Sequence, residues 1–197
     1  MLFSDKDIKD NIPIIEEKEE PSTYVDIVTA AQTKKKTLYS ITEKCDLSKY
    51  IYDFENDIEV ISSGAFSMHQ LARHIICLLN VPCNVYATTW AISEKIVSTL
   101  VSLKQKGLIN ECCFLFDKKV MQYRPNAYSL FLHNFKCKIV SIHAKICVIE
   151  TENISIRIVG SGNWTRNDKI EIYSISSNPI LCEFNKNFIK NEFERTE

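Results

Sequence analysis

The sequence predicts an α/β fold, a mixed β-sheet flanked by helices, on three observations. Strand and helix signals alternate between residues 57 and 116, several strand signals follow one another between 139 and 175, and a helical pattern closes the chain. In order, Ile58 to Ser62 reads as a strand and Ser63-Gly64 as the turn after it. Leu71, Ile75, Leu78 and Leu79 share one face of a helix over Phe66 to Leu79. Cys83 to Thr88 reads as a second strand. Ile92, Ile96, Leu100 and Leu103 then repeat at helical spacing, with Ser93 as the expected cap and Gly107 as the stop. Cys112 to Phe116 is a third strand, and residues 120 to 134 are ambiguous, with a helix expected after Pro125. Ile139 to Ile149 reads as one long strand or a close pair, Ile154 to Val159 and Ile170 to Ile175 as further strands, and Cys182 to Phe193 as the closing helix.

Residues 1 to 56 have another character. The first twenty hold seven acids and three lysines, Pro13 and Pro21 break any helix, and Lys34 to Lys36 form a basic triplet. The expected division is an N-terminal extension over 1–56, of low order or peripheral, and a folded domain over 57–197. At 197 residues and 45% hydrophobic, the chain is long enough to bury a core. A net charge of −1 excludes a globally basic nucleic-acid binder and leaves local patches open. No apolar run reaches membrane-spanning length and the N-terminus is no signal peptide, so a soluble, cytoplasmic protein without integral membrane association is expected. The eight cysteines form no CxxC pair and lie mostly among apolar neighbours, so reduced structural thiols are expected and a metal is not.

Two segments stand apart: Ile142-His-Ala-Lys-Ile-Cys-Val-Ile-Glu150 and Gly160-Ser-Gly-Asn-Trp-Thr-Arg-Asn-Asp-Lys-Ile-Glu171. If the first is a strand, alternation puts Ser141, His143, Lys145 and Cys147 on one face and Val140, Ile142, Ala144, Ile146 and Val148 on an apolar one. An imidazole and an ammonium would then stand side by side on a rigid base. From this composition an HxK triplet is expected about 0.4 times by chance and GSxN only about 0.02 times. Only the two together, on consecutive strands, are specific.

On these residues the sequence resembles the phospholipase D superfamily, whose signature is HxK, an acid five residues after the Lys, and then GSxN or GSxxN. His143, Lys145, Glu150, Gly160, Ser161 and Asn163 match in order. Trp164 to Asn167 and Glu171 look like the single-motif members, small bacterial nucleases and phage-type proteins. The resemblance spans about 57–197, carried by the motifs from 139 to 175 and by element order alone before that. Glu150 replaces the usual Asp and nine residues, three more than usual, separate it from Gly160, which implies a longer hairpin at Thr151 to Asn153.

The resemblance implies a metal-independent phosphodiesterase that needs no cofactor. A phosphodiester repels nucleophiles, so its site must supply cations and donors to a five-coordinate phosphorus. Lys145 and the Asn163 amide fit that task, with Ser161 in the same motif. His143 would attack phosphorus and form a phosphohistidine, and Glu171 would orient it. The other histidines, His69, His74 and His133, lack the Lys two positions on, so the general acid would be His143 of a second subunit in a homodimer with a shared site. His69 and His74 lie on different helix faces, and a structural or surface role is expected for both.

Nine Lys and Arg against four acids between 118 and 171 imply a basic surround and a nucleic-acid substrate. Arg166 and Lys169 would contact it, and Thr89 and Trp90, where the second strand ends, would border the groove, unless Trp90 is packed beneath the loop. The alternatives are a phospholipid-directed phospholipase D or transphosphatidylase, and a non-catalytic phosphate- or nucleic-acid-binding module on the same fold.

Overall fold

The computed structural model describes residues 35–166 and 168–195. The acidic run, Pro13, Pro21, Lys34 and Asn167 lie outside the described residues. Eight strands form one sheet: β1 (Lys36–Ile41), β2 (Asp57–Ser63), β3 (Cys83–Thr89), β4 (Ile109–Asp117), β5 (Lys136–Val140), β6 (Lys145–Glu150), β7 (Ser155–Gly160) and β8 (Ile170–Ser176), in the spatial order β1-β2-β8-β7-β6-β3-β4-β5. β1 runs parallel to β2, and β3, β4 and β5 are mutually parallel. The intervening pairs are antiparallel. The fold class is therefore the expected one, a mixed sheet flanked by helices.

The sheet begins earlier than residue 57. Ile41 and Ile51, inside the segment expected to be an extension, are buried in the core, and β1 pairs with β2 along six residues. A 3-10 turn at Leu47–Lys49 follows β1, and the His74 Nε2–H donates to the Ile51 carbonyl at 2.7 Å, which holds this segment to the domain.

Helices α1 (Met68–Leu79), α2 (Glu94–Gln105), α3 (Lys119–Tyr123), α4 (Pro125–Asn134) and α5 (Pro179–Glu194) complete the chain. α1 buries Leu71, Ile75 and Ile76. Its first turn is closed by the Ser67 amide donating to Gln70 Oε1 at 3.1 Å. Ser93 stands at the N-cap of α2 without a side-chain capping bond, and Gly107 ends the helix at φ +73°, a conformation costly for any residue with a Cβ. α5 starts three residues earlier than its apolar periodicity suggests, because Pro179 sits at its first turn and Asn178 Oδ1 accepts from the Ile180 and Leu181 amides.

The larger core lies on the α1, α2 and α4 face of the sheet, and α5 covers β3, β4, β6 and β7 on the other. β3, a central strand between parallel β4 and antiparallel β6, is buried on both faces, where the helices of the two layers cover it.

Candidate active site

Residues 139 to 149 are two strands in different parts of the sheet. β5 is the edge strand beside β4, and β6 lies between β3 and β7, so the chain must cross the ends of β4 and β3 between them. Residues 141 to 144 make that crossing. Asp117, the last residue of β4, accepts the Ile142 amide at 3.3 Å, and Thr88, near the end of β3, donates to the Ala144 carbonyl at 2.7 Å and accepts the Ile146 amide at 3.1 Å. His143 therefore sits on a tethered crossing segment and not on a strand. Extended backbone still alternates side chains, so His143 and Lys145 remain together while Cys147 joins the core at 0% exposure.

Lys145 opens β6, is 5% exposed, and sends its Nζ to the His143 carbonyl. The same Nζ lies 3.2 Å from Nδ1 and 3.3 Å from Nε2 of His143, so ammonium and imidazole are in contact. Burial pushes the Lys145 pKa below the ordinary lysine value, opposed by the nearby carboxylates of Glu171 and Asp117. An ammonium that has lost water is strongly attracted to any anion that enters.

The second motif meets the first across β6 and β7, where Lys145 is in register with Gly160, and Gly160 with Tyr173. The glycines are explained by the buried Tyr173 ring, which lies against this backbone. A Cβ on Gly160 would stand 2.4 Å from the Ile172 carbonyl oxygen, and one on Gly162 would stand 2.1 Å from the Tyr173 hydroxyl. Ser161 is exposed; its hydroxyl donates to the Glu171 carboxylate and accepts the Ile172 amide at 3.1 Å. Glu171 thus accepts a hydrogen bond from Ser161, and its field acts on Lys145.

Asn163 Oδ1 accepts from the Trp90 amide and the Thr89 hydroxyl, each at 3.3 Å, which leaves the NH2 end of the amide to donate elsewhere. Trp164 is fully buried, stacked edge-on against Phe114 at 4.7 Å, and its amide donates to Thr89 Oγ1. Thr89, expected to border the substrate, is itself fully buried, so it holds the Asn163 loop instead of lining a groove. Trp90 is half-buried, 6.5 Å from the Tyr123 ring and with Lys119 Nζ 5.3 Å from its centroid. The tryptophan packed beneath the loop is therefore Trp164, not Trp90.

Two residues that sequence reasoning missed, Thr88 and Asp117, position the site. Thr88 and its neighbour Thr89 point to opposite faces at the end of β3, and the first anchors the His143 segment while the second anchors the Asn163 loop. Asp117 braces the crossing and faces Lys145 electrostatically. The Thr-Thr pair at the end of a central strand was the available signal.

Comparison with known proteins gives a fold and no more. No family model and no curated protein matches the chain. Among solved structures it is similar to the polyphosphate kinase of Porphyromonas gingivalis, at 13% identity and a TM-score of 0.56, over 72% of this chain and 26% of that one. That likeness is one of fold, and it agrees with the mixed sheet flanked by helices found here.

The basic surround expected between 118 and 171 is not gathered at the site. Lys136 pairs with Glu111 at 2.8 Å, and Lys138 donates to the carbonyls of Glu192 and Arg195 at the end of α5. Arg157 sits midway along β7. Pairing and strand register scatter charges that are neighbours in sequence. Arg166 and Lys169 are exposed beyond the Asn163 loop, and Glu150 pairs with Lys186 of α5 at 2.7 Å, at the opposite end of β6 from Lys145. The hairpin after it closes through the Thr151 hydroxyl, as the longer spacing implied.

His69 is held neutral, its pKa pushed down to about 4 by burial and by Lys95 and Arg73, and its Nδ1 lies 2.6 Å from the Ser67 hydroxyl. Among the described residues there is no cluster able to hold a metal, all eight cysteines are free, and no helix is long and apolar enough to cross a membrane.

Proposed function

We propose that the chain is a metal-independent phosphodiesterase of the phospholipase D superfamily that cleaves nucleic-acid phosphodiesters through a phosphohistidine. The observation that carries this reading is the buried Lys145 ammonium in contact with the His143 imidazole, beside an Asn163 amide whose oxygen is tied to the backbone. The likeness to a polyphosphate kinase supports phosphoryl chemistry on this fold and does not choose among substrates.

In the proposed reaction one ring nitrogen of neutral His143 donates its lone pair to phosphorus as the P–O bond to the leaving group breaks. Lys145 and the Asn163 NH2 take up charge on the non-bridging oxygens. A proton passes to the leaving oxygen from His143 of a second copy, which then removes a proton from water as that water displaces the phosphohistidine nitrogen. Ser161 and Glu171 position the motif: Glu171 restrains Ser161 and balances the charge of Lys145. A dimer needs an interface, and on the sheet face opposite α1, Leu38, Ile61, Ile170 and Ile172 are all exposed on neighbouring strands β1, β2 and β8.

The test is to quench a reaction with an oligonucleotide labelled at the scissile phosphate and look for label on protein. An acid-labile, base-stable adduct on wild type and none on His143→Asn is the expected result. A fully active enzyme that never carries label rules the covalent mechanism out.

A further inference from the structure

α1 and α2 are each twelve residues long, about 18 Å, and both start at the sheet end that carries the two motifs. The space between them is a cavity of about 780 Å³. On α2 and its C-cap, Lys95, Thr99, Ser102 and Lys106 follow one another at spacings of four, three and four, one polar row lining the cavity. Arg73 faces it from α1, Lys44 from the segment after β1, and Arg166 from three residues beyond Asn163. Five cations thus line the cavity with no carboxylate among the lining residues, and none of the five is in an ion pair among the described residues.

Concentrated like charge is unfavourable unless an anion is meant to enter. A protein of net charge −1 that gathers five cations in one cavity has a local field opposite to its overall charge. His69, also on the wall, is kept uncharged by the same surroundings and by burial.

We infer that this cavity binds the phosphate backbone of a single-stranded nucleic acid, on the stretch that flanks the cleaved bond. The inference rests on the proposed phosphodiesterase reading and adds the strand preference and the path of the substrate. Arg166 joins the two sites, because it belongs to the loop of Asn163 and lines the mouth of the cavity. A single strand is favoured over a duplex because a cavity of about 780 Å³ is of the size that encloses one small ligand, enough for a short stretch of one strand. A nucleotide strand is favoured over a bare phosphate chain because Ile96, Leu103 and Leu108 supply apolar wall, which sugars and bases can cover and phosphates cannot.

The probe is fluorescein-labelled dT12, titrated by anisotropy at several salt concentrations against the full chain carrying His143→Asn, so that nothing is cleaved. Adding Arg73→Ala, Lys95→Ala and Lys106→Ala should weaken binding at least roughly 30-fold and lower the salt slope by about two, at about 0.7 per single-strand phosphate contact. The charge-preserving triple variant Arg73→Lys, Lys95→Arg and Lys106→Arg should bind within a few-fold of its parent, which separates lost charge from lost fold. With His143 intact, the alanine triple variant should still hydrolyse bis-p-nitrophenyl phosphate within about two-fold of wild type. Unchanged dT12 affinity and salt slope in the alanine variant overturn the inference, as does a parent that binds no dT12. So does a parent that binds inorganic polyphosphate and duplex DNA more tightly than dT12. Loss of the phosphodiesterase reading is seen separately, as a wild-type protein that hydrolyses neither substrate.

Discussion

Residues 141 to 145 and residues 160 to 164 reach the same end of the sheet and are held there by different means. The first segment crosses two strand ends, tied by the Thr88 hydroxyl and by the Ile142 amide donating to Asp117, and leaves His143 exposed. The second is fixed by packing: two glycines pressed against Tyr173, and a buried Trp164 below. A group that must attack a substrate has to be reachable, whereas a donor that stabilises charge must not move. In the proposed reaction, the difference between the segments is a division of labour between a tethered nucleophile and a rigid template.

The comparison is broken most directly by substitutions that separate activity from stability. His143→Asn should lower turnover by roughly 10⁴-fold or more while leaving the melting temperature within a degree or two, because the side chain is exposed and nucleophile loss is not made good by neighbours. Parallel kinetics and calorimetry check it; a folded variant within ten-fold of wild type would mean that His143 is not the nucleophile. Gly162→Ala should do the reverse in kind: with a Cβ 2.1 Å from the Tyr173 hydroxyl, the loop must shift, at a cost of about 1–3 kcal/mol. Denaturant unfolding would show it, and an unchanged midpoint would mean that the template is not tightly packed.

Smaller effects sharpen the same contrast. Thr88→Val leaves the Ile146 amide and the Ala144 carbonyl without their hydroxyl partner, and Thr89→Val removes the hydroxyl partner of the Trp164 amide and one of the two donors to Asn163 Oδ1. Each should cost about 1–3 kcal/mol, and Thr89→Val should also lower kcat by loosening Asn163.

The pH dependence follows from two shifted groups. His69 binds its proton more weakly folded than unfolded, so the unfolded state takes up more protons between pH 6.5 and about 4, and stability falls as pH drops through that window. His69→Gln should flatten that part of the profile; an unaltered profile would assign the acid sensitivity to other groups. Lys145, whose pKa is lowered, should lose its charge and its attraction for phosphate at a pH below that of an ordinary lysine, giving an alkaline fall in turnover that Lys145→Arg displaces upward.

Most of the fold was legible because β2, α1, β3 and α2 carry clean periodicity and Ser93 and Gly107 bound α2 as expected. The division of 139–149 was not, since the β-branched residues Ile139, Val140, Ile142, Ile146, Val148 and Ile149 run on both sides of the crossing with no Gly or Pro to mark the break, and sequence does not tell which neighbours a strand will take. β1 was missed for a similar reason: Lys-Thr-Leu-Tyr-Ser-Ile alternates weakly, and it is an edge strand exposed on one side. At the site, His143, Lys145, Ser161, Asn163 and Glu171 were found through motif spacing. Thr88 and Asp117 belong to no motif, and only the crossing of the chain brings them to Lys145 and Ala144. The cationic cavity was equally invisible, because Lys44, Arg73, Lys95, Lys106 and Arg166 are scattered along the chain and meet only in three dimensions.

The central claim is that a second copy of the chain completes the site. Mixing His143→Asn chains with wild type under conditions of subunit exchange measures it directly, with activity read on bis-p-nitrophenyl phosphate and assembly by analytical ultracentrifugation. Shared histidines predict a dimer in which each heterodimer is inactive, so activity falls as the square of the wild-type fraction. A monomer that is fully active at nanomolar concentration, or activity strictly proportional to the wild-type fraction in exchanging dimers, would contradict it.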